Sequence, residues 1–295
     1  MKKLLLTIFL ALFASCSDSG SNQDSAISAE GANVSSPMLE EILDSQTDAM
    51  KNRYEFRRPQ ETLEFFGIRP GMTVVEALPG GGWYTKLLRP FLGSGGTIVG
   101  ANYPMGVWSL FGYKGERLDN MASWPTSWPA EINEKSESAG GARAQAFMFG
   151  DLPESMHGTA DAVLLIRALH NLARFESEGG HLTSAVQNTY DILKPGGIVG
   201  IVQHQAREDM PDEWADGSKG YLKKAFVVEL MTQAGFELVA DSDLNQNQKD
   251  QPTVDDIVWR LPPSLATSKD NEDLKNSMVS IGESNRMTLK FKKPA

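Results

Sequence analysis

The chain has 295 residues, 41% of them hydrophobic and 22% charged, ordinary values for a globular protein with room for one large α/β domain or two small ones. Its formal charge of -10 and isoelectric point near 5.0, with no run of Lys or Arg, argue against nucleic acid as a partner, because neutralising phosphates needs clustered cations. A single cysteine excludes an internal disulfide, so stability must come from packing.

Met1-Lys2-Lys3 is a short basic start, and Leu4–Phe13 is apolar or nearly so. That pattern reads as an export signal, too short to span a bilayer as a mature helix. Phe13-Ala14-Ser15-Cys16 resembles a bacterial lipobox, with Phe where Leu is more usual. The resemblance implies a signal peptide over residues 1–15 and acylation of Cys16; a plain secretory signal with an incidental cysteine is the other reading. Residues 16–36, rich in Ser, Gly, Ala, Asn and Asp, read as a solvated tether. The protein is then expected in the bacterial cell envelope, facing the periplasm and held at a membrane by an N-terminal lipid anchor.

Residues 37–71 form a helical extension in two expected pieces. Leu39, Ile42 and Leu43 recur at helical spacing, and Leu63, Phe65 and Phe66 follow Pro59, which disfavours helix at Arg58 and suits the first turn of a new one. Between them, Arg53, Arg57 and Arg58 are interleaved with Tyr54 and Phe56. They read either as a solvated helix end or as arginines over a ligand mouth, one of them meeting a carboxylate.

Residues 72–295 alternate strands with helices, the pattern of a mainly parallel sheet covered on both faces. Thr73-Val74-Val75 runs apolar and β-branched into Glu76, and then Gly80-Gly81-Gly82 turns into a helix carrying Tyr84, Leu87, Leu88 and Phe91. Strand, tight glycine turn and helix make the first unit of a nucleotide-binding domain. Further strands are expected at 97–102, 144–149, 161–166, 198–203, 236–240 and 286–291, with helices at 181–193 and 221–234 and mostly loop over 245–263. Residues 103–141 are rich in aromatics, among them Trp108, Phe111, Tyr113, Trp124 and Trp128, and read as a lid or as an apolar wall facing a substrate.

The glycine turn lacks the Gly-Lys-Ser/Thr of a phosphate loop, and its spacing is wrong for a dinucleotide fold. It resembles instead the first motif of class I S-adenosylmethionine-dependent methyltransferases, acid-x-Gly-x-Gly-x-Gly, at Glu76, Gly80 and Gly82, with Leu78 for the first glycine. The resemblance continues at Gly150-Asp151, at Asp161-Ala162-Val163-Leu164-Leu165 followed by Ala168-Leu169-His170-Asn171, and at Leu193-Lys194-Pro195-Gly196-Gly197. RRPQETLEFFGIRPGMTVVE, GGGWYT and IGESNRMTLKFKKP look like a family of exported bacterial predicted methyltransferases.

That resemblance implies a Rossmann-like, seven-stranded methyltransferase sheet, mainly parallel with an antiparallel last strand. It implies S-adenosyl-L-methionine as cofactor: Glu76 near the methionyl ammonium, Pro79, Gly80, Gly81 and Gly82 under the sugar and methionine, Asn102 at the ribose, and Asp151 with Leu152 at the adenine. Asn102 stands where an acid is usual, so it offers the ribose an amide oxygen without charge assistance. Of the candidate bases, His170 follows the fourth strand and His204 the fifth, both at the carboxyl edge where such folds bind ligands. A metal held by His170, His204 and Asp209 has no supporting ligand spacing, so none is expected. The function implied is methyl transfer to a small or apolar acceptor; the alternative is a non-catalytic envelope protein that binds another ligand in the same fold, favoured by Asn102 and by export.

Overall fold

The computed structural model describes residues 37–295, the side chains of residues 37 and 135–139 excepted. The signal peptide, Cys16 and the tether lie outside the described residues. Four short helices come first: α1 (Pro37–Asp44), α2 (Asp48–Lys51), α3 (Tyr54–Arg57) and α4 (Pro59–Phe66). Two pieces were expected. The break at Pro59 is as the sequence reads, with Arg58 in the left-handed region at φ 37° and Pro59 opening α4.

The sheet follows. Its strands are β1 (Thr73–Ala77), β2 (Thr97–Asn102), β3 (Arg143–Met148), β4 (Ala160–Ile166), β5 (Leu193–Ala206), the two-residue β6 (Leu222–Lys223), β7 (Glu237–Ser242) and β8 (Arg286–Lys292). They lie in the order β3-β2-β1-β4-β5-β8-β7, with β6 beside the end of β5. β1 to β5 are parallel, and β8 runs antiparallel to both β5 and β7. The order and directions are those of the expected Rossmann-like sheet, seven strands along its path and mainly parallel with the last strand antiparallel.

Strand periodicity divides the sheet's side chains between two cores. Val75, Ala77, Val99, Ala101, Val163 and Leu165 point to one face and meet α10 (His181–Ile192) and α11 (Lys224–Gln233) through residues such as Leu182, Val186, Val227 and Met231. Val74, Ile98, Ala144, Ala162 and Leu164 point to the other and meet α1, α4 and α5 (Thr85–Leu92) through Leu39, Phe66, Leu87 and Leu88. Both cores are continuous along the sheet, which fixes the positions of the loops at its carboxyl edge.

Residues 103–141 hold three helices, α6 (Met105–Leu110), α7 (Glu116–Ala122) and α8 (Trp124–Ala139). The prolines that obscured them in the sequence mostly sit where helices begin: Pro104 just before α6 and Pro125 in the first turn of α8. Trp124 and Trp128 stack at 5.3 Å over β2, where a Cβ on Gly100 would stand 2.7 Å from Trp124. The helix expected from Tyr221 begins at Lys224, after β6. A short α9 (Leu169–Arg174) follows β4, and α12 (Glu272–Ile281) has Asn271 as N-cap, its side chain accepting from the Leu274 N–H at 2.9 Å. No helix among the described residues is long and apolar enough to cross a membrane.

Candidate functional site

The site is built where β1, β2, β4 and β5 end. After β1 the chain turns through Leu78 and the three glycines into α5. Leu78 stands in place of the motif's first glycine and yet adopts glycine's backbone, φ 53°, pinned by its N–H to the Ala101 carbonyl at 2.7 Å. Gly80 and Gly82 also have positive φ, 53° and 73°, and the Gly82 N–H closes the turn on the Pro79 carbonyl at 2.8 Å.

Glu76 lies under this turn, buried. Its carboxylate accepts from the Thr85 hydroxyl at 2.6 Å and from the backbone N–H at the start of α5, a favourable place for negative charge. Burial outweighs those bonds and pushes its pKa up to about 7. Among the described residues no cation pairs with it.

A cavity of about 490 Å³ opens beside the turn, a usual size for a small-molecule site. Leu78, Gly80 and Asn102 line its β1–β2 side, and Arg167, His170 and His204 its β4–β5 side. Tyr103, Trp108, Tyr113 and Trp124 supply an aromatic wall, with Trp259 from the loop after β7 on another side. The aromatic segment is therefore both lid and wall: Trp128 belongs to the core, while Trp108 and Trp124 face the cavity.

His170 and His204 stand together in this cavity, ring centres 5.3 Å apart. His204 Nδ1 is 2.5 Å from Ser284 Oγ, and His170 Nδ1 is 3.4 Å from the Gln203 amide. Burial pulls the pKa of His170 down to about 4 against the support of Gln203; burial, His170 and the nearby arginines hold His204 well below its ordinary value. Both imidazoles are neutral at pH 7 and each can accept a proton.

The reversed strand β8 brings residues that precede it to the same edge, since its first residue, Arg286, pairs with His204. Glu283 and Ser284 thereby line the cavity. The Glu283 carboxylate is held by Arg57 and Arg286, each at 3.2 Å, and by Arg53. Of the three arginines near Pro59, two thus meet a carboxylate, and it is the protein's own. Burial raises the Glu283 pKa, but Arg286, Arg57 and Arg53 together hold it below the ordinary value.

The remaining expected cofactor residues are dispersed. Asn102 lines the cavity, but its side-chain oxygen already accepts from the Tyr103 N–H at 2.8 Å. Gly81 and Gly82 line a neighbouring cavity with Thr85 and Trp128. Exposed Asp151 lines a third, of about 430 Å³, with Pro104, Pro125 and His181. Tyr103 and Trp124 line the main cavity while their chain neighbours Pro104 and Pro125 line the third, so this segment partitions the two. Glu76, Pro79 and Leu152 line none of these cavities. Asp161 sits at the start of β4, away from the site, where it accepts from the Thr73 N–H and pairs with Lys194.

Sequence reasoning passed over Arg167, Trp259, Glu283 and Ser284. Arg167 carried a usable signal: an arginine ending the apolar run Val163–Ile166 is as anomalous as the acid ending β1. Trp259, Glu283 and Ser284 carried none, because only the topology of β7 and β8 brings them to this edge. Among the described residues no group of three or more His, Cys, Asp or Glu could hold a metal ion.

No protein-family model and no curated protein matches the chain. Solved structures resemble it in outline. The cyclase SpnF is 15% identical, with a TM-score of 0.49 over 81% of this chain and 80% of that one. Geranyl diphosphate methyltransferase in complex with SAM is 15% identical, TM-score 0.47, over 82% and 86%. A SAM-dependent methyltransferase from Aquifex aeolicus is 16% identical, TM-score 0.42, over 70% and 92%. Likeness at this level carries neither ligand nor activity to this chain.

Proposed function

We propose that the protein is an S-adenosyl-L-methionine-dependent methyltransferase acting on a small molecule. The observation that carries this reading is one cavity at the carboxyl edge that joins the glycine turn and Asn102 to two buried, neutral histidines. The residues suit the cofactor. Gly80 leaves backbone open to close approach, and Asn102 lies at the end of β2 to meet a ribose. Glu76, beneath the turn and outside the cavity lining, would meet a methionyl ammonium through water or after a shift of the turn. Asp151, behind the Tyr103–Met105 partition, would reach an adenine after a shift of that segment.

Bound S-adenosylmethionine would supply an electrophilic methyl group on a sulfonium sulfur. The protein's part is then to orient the acceptor atom in line with that methyl, exclude water and take up a proton where the acceptor carries one. The aromatic wall excludes water. With Ser284 accepting from the Nδ1–H of His204, Nε2 of that ring keeps the lone pair that removes the acceptor's proton; His170 is the second candidate.

Calorimetry of the full chain with S-adenosylhomocysteine tests the reading: binding is expected in the micromolar range, and no heat with either the product or the cofactor would sink it. If His204 is the base, His204→Asn lowers turnover far more than it weakens S-adenosylhomocysteine, which should change by less than about twofold. Comparable losses in both would make the residue structural. On the residues Met1–Cys16 alone we propose in addition that the protein is an acylated envelope lipoprotein facing the periplasm. Mass spectrometry of the mature N-terminus tests this, an unmodified Cys16 being the contrary result.

A further inference from the structure

At and behind the polar wall of the cavity lies more positive charge than the one carboxylate there neutralises. Arg53, Arg57 and Arg286 converge on the single carboxylate of Glu283. Arg167 lies in the same field, repelled by Arg286 and drawn to Glu283, yet it has no ion pair with Glu283 or with any other acid among the described residues. Its Nε is fully buried and finds no hydrogen-bond acceptor, although the side chain lines the cavity. Leaving a charged donor without a partner is costly in a dry site.

The backbone agrees. Arg167 has φ 56°, a conformation long side chains rarely adopt, and its N–H is clamped to the Val202 carbonyl at 2.6 Å. The clamp fixes where the side chain leaves the end of β4. Strain of this kind persists where the surroundings hold it, and it clusters at ligand sites.

We propose that Arg167 is the receptor for an anionic group, a carboxylate or a phosphate, on the acceptor, which seats its apolar body against the aromatic wall. A guanidinium meets either group through two parallel N–H donors, which fixes orientation as well as affinity. The assignment rests on the methyltransferase reading only in naming this ligand the acceptor. The carboxylate of the cofactor's methionine has the same chemistry, but the position of Arg167 favours the acceptor. The residues that suit the cofactor end β1 and β2, whereas Arg167, His170 and His204 end β4 and β5 on the other side of the cavity. An anion bound at Arg167 would hold the rest of the acceptor beside the two histidines.

Trp108, Trp124 and Trp259 line the cavity, so fluorescence of the full chain can report binding of phenyl phosphate, benzoate and the neutral isostere benzamide. Both anions are expected to bind at least about tenfold more tightly than benzamide, the difference of a charge-assisted pair. Arg167→Gln should remove that preference and leave benzamide unchanged, and Arg167→Lys should restore part of it. S-adenosylhomocysteine is titrated into the same variants, and its affinity should change less than about twofold in Arg167→Gln. Equal binding of benzoate and benzamide by the wild-type protein overturns the proposal without any variant. So does an unchanged preference in Arg167→Gln. Loss of S-adenosylhomocysteine together with phenyl phosphate in that variant would assign the arginine to the cofactor's carboxylate and overturn the acceptor assignment. Failure of S-adenosylhomocysteine to bind the wild-type protein, with the anion preference intact, would sink the methyltransferase reading and with it the word acceptor, leaving an anion site.

Discussion

The two sides of the cavity are built on opposite principles. On the β1–β2 side the buried polar groups are met locally: Glu76 by Thr85, and the Asn102 oxygen by the next backbone N–H. On the β4–β5 side three arginines share one glutamate and a fourth has no acidic partner among the described residues, with two histidines lining the same cavity. Desolvation acts on both sides in the same sense, toward the neutral form, raising the acid and lowering the imidazoles. What differs among the described residues is the balance of charge: a buried acid with hydrogen bonds but no cation on one side, an excess of cations on the other. A ligand with a cationic end and an anionic partner beside it would satisfy both.

The largest expected effect breaks the cationic side. Glu283→Gln leaves Arg57 and Arg286 buried without their counter-charge, a change expected to destabilise the fold by about 3–5 kcal/mol near pH 7. Because the folded pKa of Glu283 is depressed, its contribution is present above the ordinary carboxylate range and is lost as pH falls through the folded value. Urea denaturation followed from pH 7 downward should therefore show the wild-type and variant proteins converging only as the pH falls through the depressed folded value. Parallel curves would mean that the arginines do not depend on this carboxylate.

A smaller effect separates the two sides by the sign of their pH dependence. Glu76 titrates near 7 in the folded protein and near 4.5 unfolded, so it makes stability fall as pH rises between those values. His170, near 4 folded and 6.5 unfolded, makes stability fall as pH drops across its own window. In the wild-type protein the two slopes oppose each other between about pH 4.5 and 6.5. Glu76→Gln should gain on the wild type as pH rises to 7, and His170→Asn should gain as pH falls to 4, each by on the order of 3 kcal/mol. Thermal melts of the three proteins across that range would show it. A gain of the same sign in both variants would mean that the burial of one group is relieved by water.

The sequence discloses the β1–β2 side better than the β4–β5 side, for a physical reason. Strand β1, its acid and the glycine turn are contiguous in the chain, so spacing alone reports them. Each histidine comes after an apolar run, His170 after β4 and His204 near the end of β5, which places both toward the carboxyl edge without knowledge of the packing. The cationic cluster joins Arg53 and Arg57, before β1, with Arg167 after β4 and Glu283 and Arg286 at the start of β8. No local pattern records that meeting; it exists only because β8 is inserted in reverse between β5 and β7. The partition between Asn102 and Asp151 is invisible for a related reason, since prolines that read as loop punctuation turn out to open helices α6 and α8.

The smallest effect sharpens the comparison at Asn102. Its oxygen faces the Tyr103 N–H at 2.8 Å, so the isosteric carboxylate introduced by Asn102→Asp would keep that bond with one oxygen and present the other to the cavity. Burial of a new charge opposes the change, and the arginines across the cavity favour it. If a ribose sits at the end of β2, the substitution adds one charge-assisted hydrogen bond, and S-adenosylhomocysteine should bind about fivefold more tightly, the equivalent of about 1 kcal/mol. Adenine alone, which lacks the ribose, should bind the two proteins equally. Tighter binding of adenine as well would reveal a general effect of the added charge, and no gain for either ligand would place the ribose elsewhere. The substitution thus asks whether the self-satisfied side of the cavity is arranged for a cofactor, using a group that the surrounding backbone is already shaped to hold.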